Sequence, residues 1–195
     1  MDKTDHQSLI AAVDENRLLE TAKALVDVPS PTCDATAVAD RLSEILQGDG
    51  FSVERPAAGW AEAPAVVCRL QGAEKGRTLQ FDGHLDTVHL PFKSASVVDG
   101  HLTGLGAADM KGGIAACVEA MRALRDTDAL SAGGVLLTTH DHHEAPWGDG
   151  RQVHGLIKEG FVGDAVLLPE YLASPLPLAG RGMCVFEVNL TRPGE

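Results

Sequence analysis

Histidine and carboxylate side chains cluster along this chain at spacings that suit metal binding. The densest cluster follows an apolar run and contains five consecutive ionisable residues, His140, Asp141, His142, His143 and Glu144. Such a group placed after a buried strand costs free energy unless it lines a polar or metal-containing site. Because imidazole and carboxylate groups bind zinc, the cluster predicts a metal site, with a solvated loop as the alternative.

A second cluster contains His84 and Asp86, which are two residues apart in the segment Gly83–Val88. On an extended chain, side chains at this spacing point to the same face. A carboxylate in that position can hold the far ring nitrogen of the histidine and fix its tautomer, which favours metal binding by the other nitrogen. A purely structural pair is the alternative.

Two further carboxylates, Asp109 and Glu170, lie beside predicted helix and strand ends. Asp109 belongs to the glycine-rich segment Gly104–Gly113, so capping of the helix that follows is its structural alternative. This segment lacks the G-x-x-x-x-G-K-[ST] spacing of a phosphate-binding loop, which argues against a nucleotide-binding module. Ligands of open α/β sheets gather at the carboxyl ends of strands, so all these segments predict one shared site.

Taken together, the segments resemble, in order and spacing, the M20 family of dinuclear zinc peptidases and amidohydrolases. The resemblance covers about residues 14–195, and its most specific stretch is Asp109–Gly113. It implies two zinc ions in the complete enzyme, with cobalt as an alternative metal. The metal ligands that it implies are His84, Asp109, Glu144 and Glu170.

The same resemblance implies a role for each of these residues. Asp109 would bridge both zinc ions, His84 and Glu170 would complete the protein ligands of the first, and Glu144 would bind the second. Asp86 would orient His84 and is counted with the catalytic residues.

The chain departs from the family at the general base. The family usually has a Glu-Glu pair where this chain has His143-Glu144, and the first glutamate activates the water. We therefore predict His143 as the catalytic base, because a neutral imidazole can accept a proton. Two alternatives stay open: His142 and His143 form the pair, or Glu144 is the base and His143 a ligand.

The resemblance implies a hydrolase that cleaves the amide bond of an N-acyl amino acid or a small peptide with zinc-activated water. A non-catalytic metal-binding protein or a truncated fragment is the alternative. The family takes one more zinc ligand from far downstream and dimerises through a lid domain, so a homodimer is expected for the complete protein. We expect residues 1–179 to be the N-terminal part of the catalytic domain and residues 180–195 the first strand of an incomplete lid and dimerisation domain.

Hydrophobic periodicity indicates the elements that must position these residues. Helical spacing predicts helices over four segments, about 18–26, 35–47, 112–124 and 152–159. Strands are predicted over 65–68 and 78–81, and continuous apolar runs predict buried strands over 135–139 and 165–168. This alternation predicts an α/β fold with a mixed, mostly parallel sheet flanked by helices on both faces.

Composition narrows the classes of function. The 195 residues include 16 Lys+Arg and 28 Asp+Glu, a net charge of −12, which argues against nucleic-acid and anionic-membrane partners. Four cysteines without a C-x-x-C pair argue against a disulfide scaffold or a thiolate zinc site. They predict small buried side chains in a reduced, cytoplasmic setting.

Overall fold

The computed structural model describes residues 3–170 of the chain. The helices in this range are α1 (Lys3–Ala11), α2 (Glu15–Val26), α3 (Thr36–Gly48), α4 (Gly112–Asp126) and α5 (Arg151–Lys158). The strands are β1 (Val53–Glu54), β2 (Val66–Gln71), β3 (Glu74–His84), β4 (Ser96–Val98), β5 (His101–Thr103), β6 (Ala132–His140) and β7 (Ala165–Leu167). Among these helices, none combines the length and apolar character needed to cross a membrane.

Five of the strands form one mixed sheet in the order β1-β2-β6-β3-β7. Strand β3 pairs in parallel with both β6 and β7, whereas β2 is antiparallel to β6 and to β1. Only β2 therefore runs against the other four strands. Strands β4 and β5 form a separate antiparallel hairpin. This architecture confirms the predicted α/β class and its mostly parallel sheet.

Apolar side chains cover both faces of the sheet. Leu137 of β6 belongs to the larger core, where it joins buried side chains of α2, α3 and α4 such as Leu25, Leu42 and Met121. Its neighbour Leu136 belongs to a smaller cluster on the other face, which includes Leu156 of α5. Adjacent residues of a strand point to opposite faces, so one apolar run serves both cores.

Two sequence-based expectations about burial were wrong. Strand β7 was expected to be buried, but Val166 and Leu167 are each 52% exposed because β7 pairs with β3 alone, at the edge of the described sheet. Cys33 is exposed because it lies in the turn before α3, whereas Cys68 and Cys117 are buried as expected. The predicted strand over 180–195, and Cys184 within it, lie outside the described residues.

Strand register brings the predicted site segments to one edge of the sheet. His84 is paired with His140, so β3 and β6 end side by side and the residues that follow them emerge together. Strand β7 pairs Phe81 with Leu167. Glu170 lies three residues beyond that pair, as His84 does, and therefore comes to the same edge.

Candidate metal centre

His84 is the buried centre of the site. Its Nε2 lies 2.9 Å from Oδ1 of Asp109, and its Nδ1 lies 2.9 Å from the backbone carbonyl oxygen of Asp86 and 3.6 Å from the Asp86 carboxylate. The carbonyl is thus the nearer partner, where the sequence suggested the carboxylate. In the neutral ring, an Nδ1 proton donated to that carbonyl would leave Nε2 as the nitrogen that faces a metal ion.

Charge around His84 favours a cation. Burial alone would lower the pKa of His84, but the hydrogen bonds and charge of Asp86, together with Asp109, outweigh burial and raise that pKa to about 9. Without metal, the His84 ring is therefore a protonated, positively charged imidazolium between the carboxylates of Asp86 and Asp109. A divalent ion that displaced this proton would satisfy the same charges, because metal binding to histidine releases a proton.

Asp109 lies in a distorted turn, Ala107–Lys111, where its backbone is extended with φ −126° and ψ 97°. Helix α4 has Lys111 at its N-cap and no side-chain cap, so Asp109 does not cap that helix. The Asp109 side chain is 44% exposed and free to face a ligand. The adjacent Lys111 is 1% exposed and donates to the Val28 carbonyl at 2.8 Å, which ties this turn to the loop after α2. Burial lowers the pKa of Lys111 to about 8.

The structure brings the predicted ligands and the predicted base into two groups that share His84. In the first group, the ligand atoms of His84, Asp109 and Glu144 all lie within 4.8 Å of one another. In the second, the same limit holds for His84, His143 and Glu170. Glu144 therefore approaches Asp109, and His143 lies beside Glu170.

His143 stacks on His84 with ring centroids 4.1 Å apart and planes 9° from parallel. Burial lowers the pKa of His143, and the nearby His84 and His140 lower it further. A neutral His143 can accept a proton or bind a metal, so this geometry is compatible with either role. His142 belongs to neither group of described ligands, and its ring packs edge-on against Trp60 at 4.5 Å.

Asp86 connects the two halves of the site. Its buried carboxylate accepts hydrogen bonds from the backbone amides of His143 at 3.1 Å and Glu144 at 2.9 Å. Burial alone would raise the pKa of Asp86, but hydrogen bonds involving His84 and the Glu144 amide lower it overall. An ionised Asp86 therefore holds the His143–Glu144 segment against the end of β3.

The donor set suits zinc. Burial raises the pKa of Glu144, and the negative charge of Asp109 raises it further. Neighbouring carboxylates repel each other when both are ionised, and a bound divalent cation offsets this repulsion. Imidazole nitrogens and carboxylate oxygens are zinc ligands in proteins, so the residues fit this ion.

Comparison with known proteins identifies the family. Residues 80–170 match the family model described as Peptidase family M20/M25/M40. A succinyl-diaminopimelate desuccinylase from Methylobacterium radiotolerans is 35% identical over 153 residues, which cover 72% of this chain and 37% of that protein. This chain belongs to peptidase family M20/M25/M40.

Solved structures share the fold of this M20 chain. A tripeptidase from Staphylococcus aureus superposes with a TM-score of 0.67 at 22% identity, over 83% of this chain and 45% of that one. Human carnosine dipeptidase 1 superposes with a TM-score of 0.69 at 19% identity, over 86% of this chain and 41% of that one. The M20 chain spans well under half the length of two curated desuccinylases that it matches, 37% of the one from Methylobacterium radiotolerans and 38% of one from Methylorubrum populi.

The sequence did not predict that the loop between α2 and α3 would contact the segments that carry the M20 site. Ser30 Oγ donates to the Leu85 carbonyl at 2.8 Å, and the Thr87 amide donates to the Ser30 carbonyl at 2.8 Å. The Cys33 amide donates to Asp141 at 2.9 Å. The only signal in the sequence is the break at Pro29-Ser30-Pro31, which marks a loop but not its contacts.

Proposed function

We propose that this chain forms the metal-binding part of a zinc-dependent hydrolase that cleaves the amide bond of an N-acyl amino acid or a small peptide. The observation that carries the proposal is the convergence of His84, Asp109, Glu144, His143 and Glu170 at one edge of the sheet. Membership of the M20 family supports amide hydrolysis. The name of the related succinyl-diaminopimelate desuccinylase supports an N-acyl amino acid as the substrate class.

In this proposal, His84, Asp109 and Glu170 would hold one zinc ion, and Asp109 and Glu144 would contribute ligands to a second. Bound zinc polarises a carbonyl oxygen and lowers the pKa of water. The protein's part is to direct Nε2 of His84 toward the metal site through the contact of Nδ1 with the Asp86 carbonyl, and to fix the position of Glu144 through the Asp86 carboxylate.

His143 is the proposed general base. Because burial and neighbouring imidazoles lower its pKa, a ring nitrogen is unprotonated at neutral pH and can take a proton. The same ring could then pass that proton to the leaving amine. Nearby cations keep the imidazole neutral but also weaken its basicity.

A non-catalytic metal-binding protein is the second candidate. The observation that favours it is His143 itself, because the resemblance places a glutamate base at that position. In this case the group of His84, His143 and Glu170 would serve only to bind metal. The homodimer, the lid domain and the cytoplasmic setting stay predictions.

Metal analysis tests the proposal on the chain itself. We would strip the protein with EDTA, add zinc, pass it through gel filtration and measure zinc by mass spectrometry. We expect about one tightly held zinc per chain, because Asp109 and Glu144 supply too few ligands for a second. No retained zinc, or two tightly held ions, would contradict this assignment.

Variants at position 143 separate the two roles. If His143 is the base, His143→Ala leaves zinc affinity within about twofold, and in the complete protein it lowers turnover of N-acetyl amino acids by about 10²–10⁴-fold. If zinc affinity falls as far as in His84→Ala, His143 is a ligand. Complete protein that holds zinc but does not hydrolyse any N-acyl amino acid or peptide would favour the non-catalytic candidate.

A further inference from the structure

An open groove lies beside the metal centre and takes no part in holding the metal. It runs between the loop that carries Leu90, Pro91 and Lys93, the strand β5, and the turn that carries Ala107 and Ala108. Its volume is about 520 Å³, which suits a small ligand rather than a single water molecule. We call it the Lys93 groove.

Two close contacts hold part of the groove lining in place. The Leu105 amide donates to the Lys93 carbonyl at 2.9 Å, which joins the loop to the end of the hairpin. Gly104 packs so closely that a Cβ there would lie 2.4 Å from the side chain of Val26 in α2. These contacts order part of the lining before a ligand arrives, which lowers the entropic cost of binding.

One end of the groove adjoins the candidate metal centre. Ala108 lines the groove and directly precedes Asp109, so the groove continues along the chain into the turn that carries this proposed ligand. A substrate side chain held in the groove would therefore lie next to the turn of a proposed zinc ligand.

The lining is mostly apolar and contains one cation. Leucine, proline and alanine side chains make up most of the walls, and Lys93 is the one charged residue among the described lining residues. No described carboxylate forms an ion pair with Lys93, although the chain as a whole carries a net charge of −12. An apolar groove with a single unpaired ammonium group is complementary to a ligand with one carboxylate and an apolar side chain.

We propose that the Lys93 groove binds the apolar side chain of a substrate that carries one carboxylate, with Lys93 contacting that carboxylate. The inference rests on the proposed function only for the substrate class, N-acyl amino acids. It adds a preference within that class: derivatives of leucine-like amino acids bind better than derivatives with small or charged side chains.

Binding without metal tests the groove directly. The ¹⁵N-labelled chain in EDTA is titrated with N-acetyl-L-leucine, and amide shifts are expected at Leu90, Phe92 and Lys93 and over residues 102–108. N-acetylglycine should bind about tenfold less tightly or worse, because it lacks the side chain that the groove buries. Shifts that map elsewhere, or equal affinity for both compounds, would overturn the assignment.

Lys93→Met tests the carboxylate contact, with Lys158→Met on the exposed end of α5 as the matched control. We expect Lys93→Met to weaken N-acetyl-L-leucine binding about fivefold and Lys158→Met to leave it unchanged. N-acetyl-L-leucinamide lacks the carboxylate, so its affinity for the wild type should be about as low as that of N-acetyl-L-leucine for Lys93→Met. Its affinity should be the same for Lys93→Met as for the wild type. Equal effects of the two lysine variants would refute a role for Lys93.

These readouts keep the two proposals separate. A chain that binds N-acetyl-L-leucine in the groove but retains no zinc would overturn the proposed function and leave the groove standing. A chain that retains zinc but shows no shifts in the groove would overturn the groove assignment and leave the proposed function standing.

Discussion

The carboxylate of Asp86 accepts a hydrogen bond from the backbone amide of Glu144 at 2.9 Å, and 58 residues separate the two along the chain. The neighbouring amide of His143 donates to the same oxygen at 3.1 Å. Through these bonds, the segment that follows β3 holds the segment that follows β6. The position of a proposed ligand thus depends on a side chain that need not touch the metal.

Replacing Asp86 with alanine should weaken both the fold and the metal centre. The change leaves two partly buried amide groups without their acceptor, and an unsatisfied group that is fully buried costs about 1–3 kcal/mol. We expect urea denaturation in EDTA to show a free energy of unfolding lower by about 1–3 kcal/mol in total. Zinc affinity should fall as well, because Glu144 loses its anchor.

Asp34→Ala is the matched control for Asp86→Ala, because Asp34 is an exposed aspartate in the loop before α3. We expect it to change the unfolding free energy by less than about 0.5 kcal/mol. If both variants lost the same stability and the same zinc affinity, Asp86 would have no special positioning role.

Gly113 should be intolerant of any side chain. A Cβ at Gly113 would lie 1.8 Å from the carbonyl oxygen of Pro169, a backbone atom that cannot move without displacing Glu170. We expect Gly113→Ala to destabilise the fold by about 1–3 kcal/mol or more and to lower zinc affinity. Thermal unfolding with and without zinc measures both effects.

Gly48→Ala provides the comparison, because Gly48 ends α3 and a Cβ there would meet nothing within 4 Å. It should leave zinc affinity unchanged and could raise stability by up to about 1 kcal/mol, since alanine favours helix. Unchanged zinc affinity in Gly113→Ala would show that Glu170 is not positioned through this contact.

Acid should destabilise the protein through a buried network that joins α2 to α4. Glu119 accepts hydrogen bonds from the Arg17 guanidinium at 2.7 and 2.8 Å and from the Asp14 amide at 2.9 Å. Burial alone would raise the pKa of Glu119, but these bonds, with that from Arg122, lower it below its ordinary value of 4.5. The network therefore stabilises the fold fully above about pH 4.5, and this stabilisation disappears as the pH falls through the lower pKa of the folded state.

Glu119→Gln should remove most of this acid sensitivity. At pH 7 we expect it to lower the unfolding free energy by about 1–3 kcal/mol, with a smaller loss near pH 3. Glu44→Gln alters an exposed ion pair with Arg41 and should cost less than about 1 kcal/mol at either pH. A loss at Glu119 that does not change with pH would argue against its ionised form as the stabilising species.

The sequence predicts the fold and the meeting of the site segments because both follow from regular patterns. The apolar run 135–139 indicated β6, and the rule that ligands gather at strand ends placed the residues after it beside His84. Contacts between loops follow no such pattern, so neither the Asp86–Glu144 bond nor the contact of Gly113 with Pro169 was predicted. An apolar run also does not distinguish a central strand from an edge strand, which is why the exposure of β7 was missed.

Zinc should stabilise the folded chain through His84. Ligand that binds only the folded state at a free concentration of 100 times its Kd adds about 2.7 kcal/mol to the unfolding free energy. We expect added zinc to raise the melting temperature of the wild type and to leave His84→Ala nearly unshifted, because His84 belongs to both groups of candidate ligands. His154→Ala removes an exposed histidine on α5 and should retain the full shift. If His84→Ala kept the wild-type shift, or if His154→Ala lost as much of it, zinc would bind elsewhere on the chain and the centre assigned to His84 would be wrong.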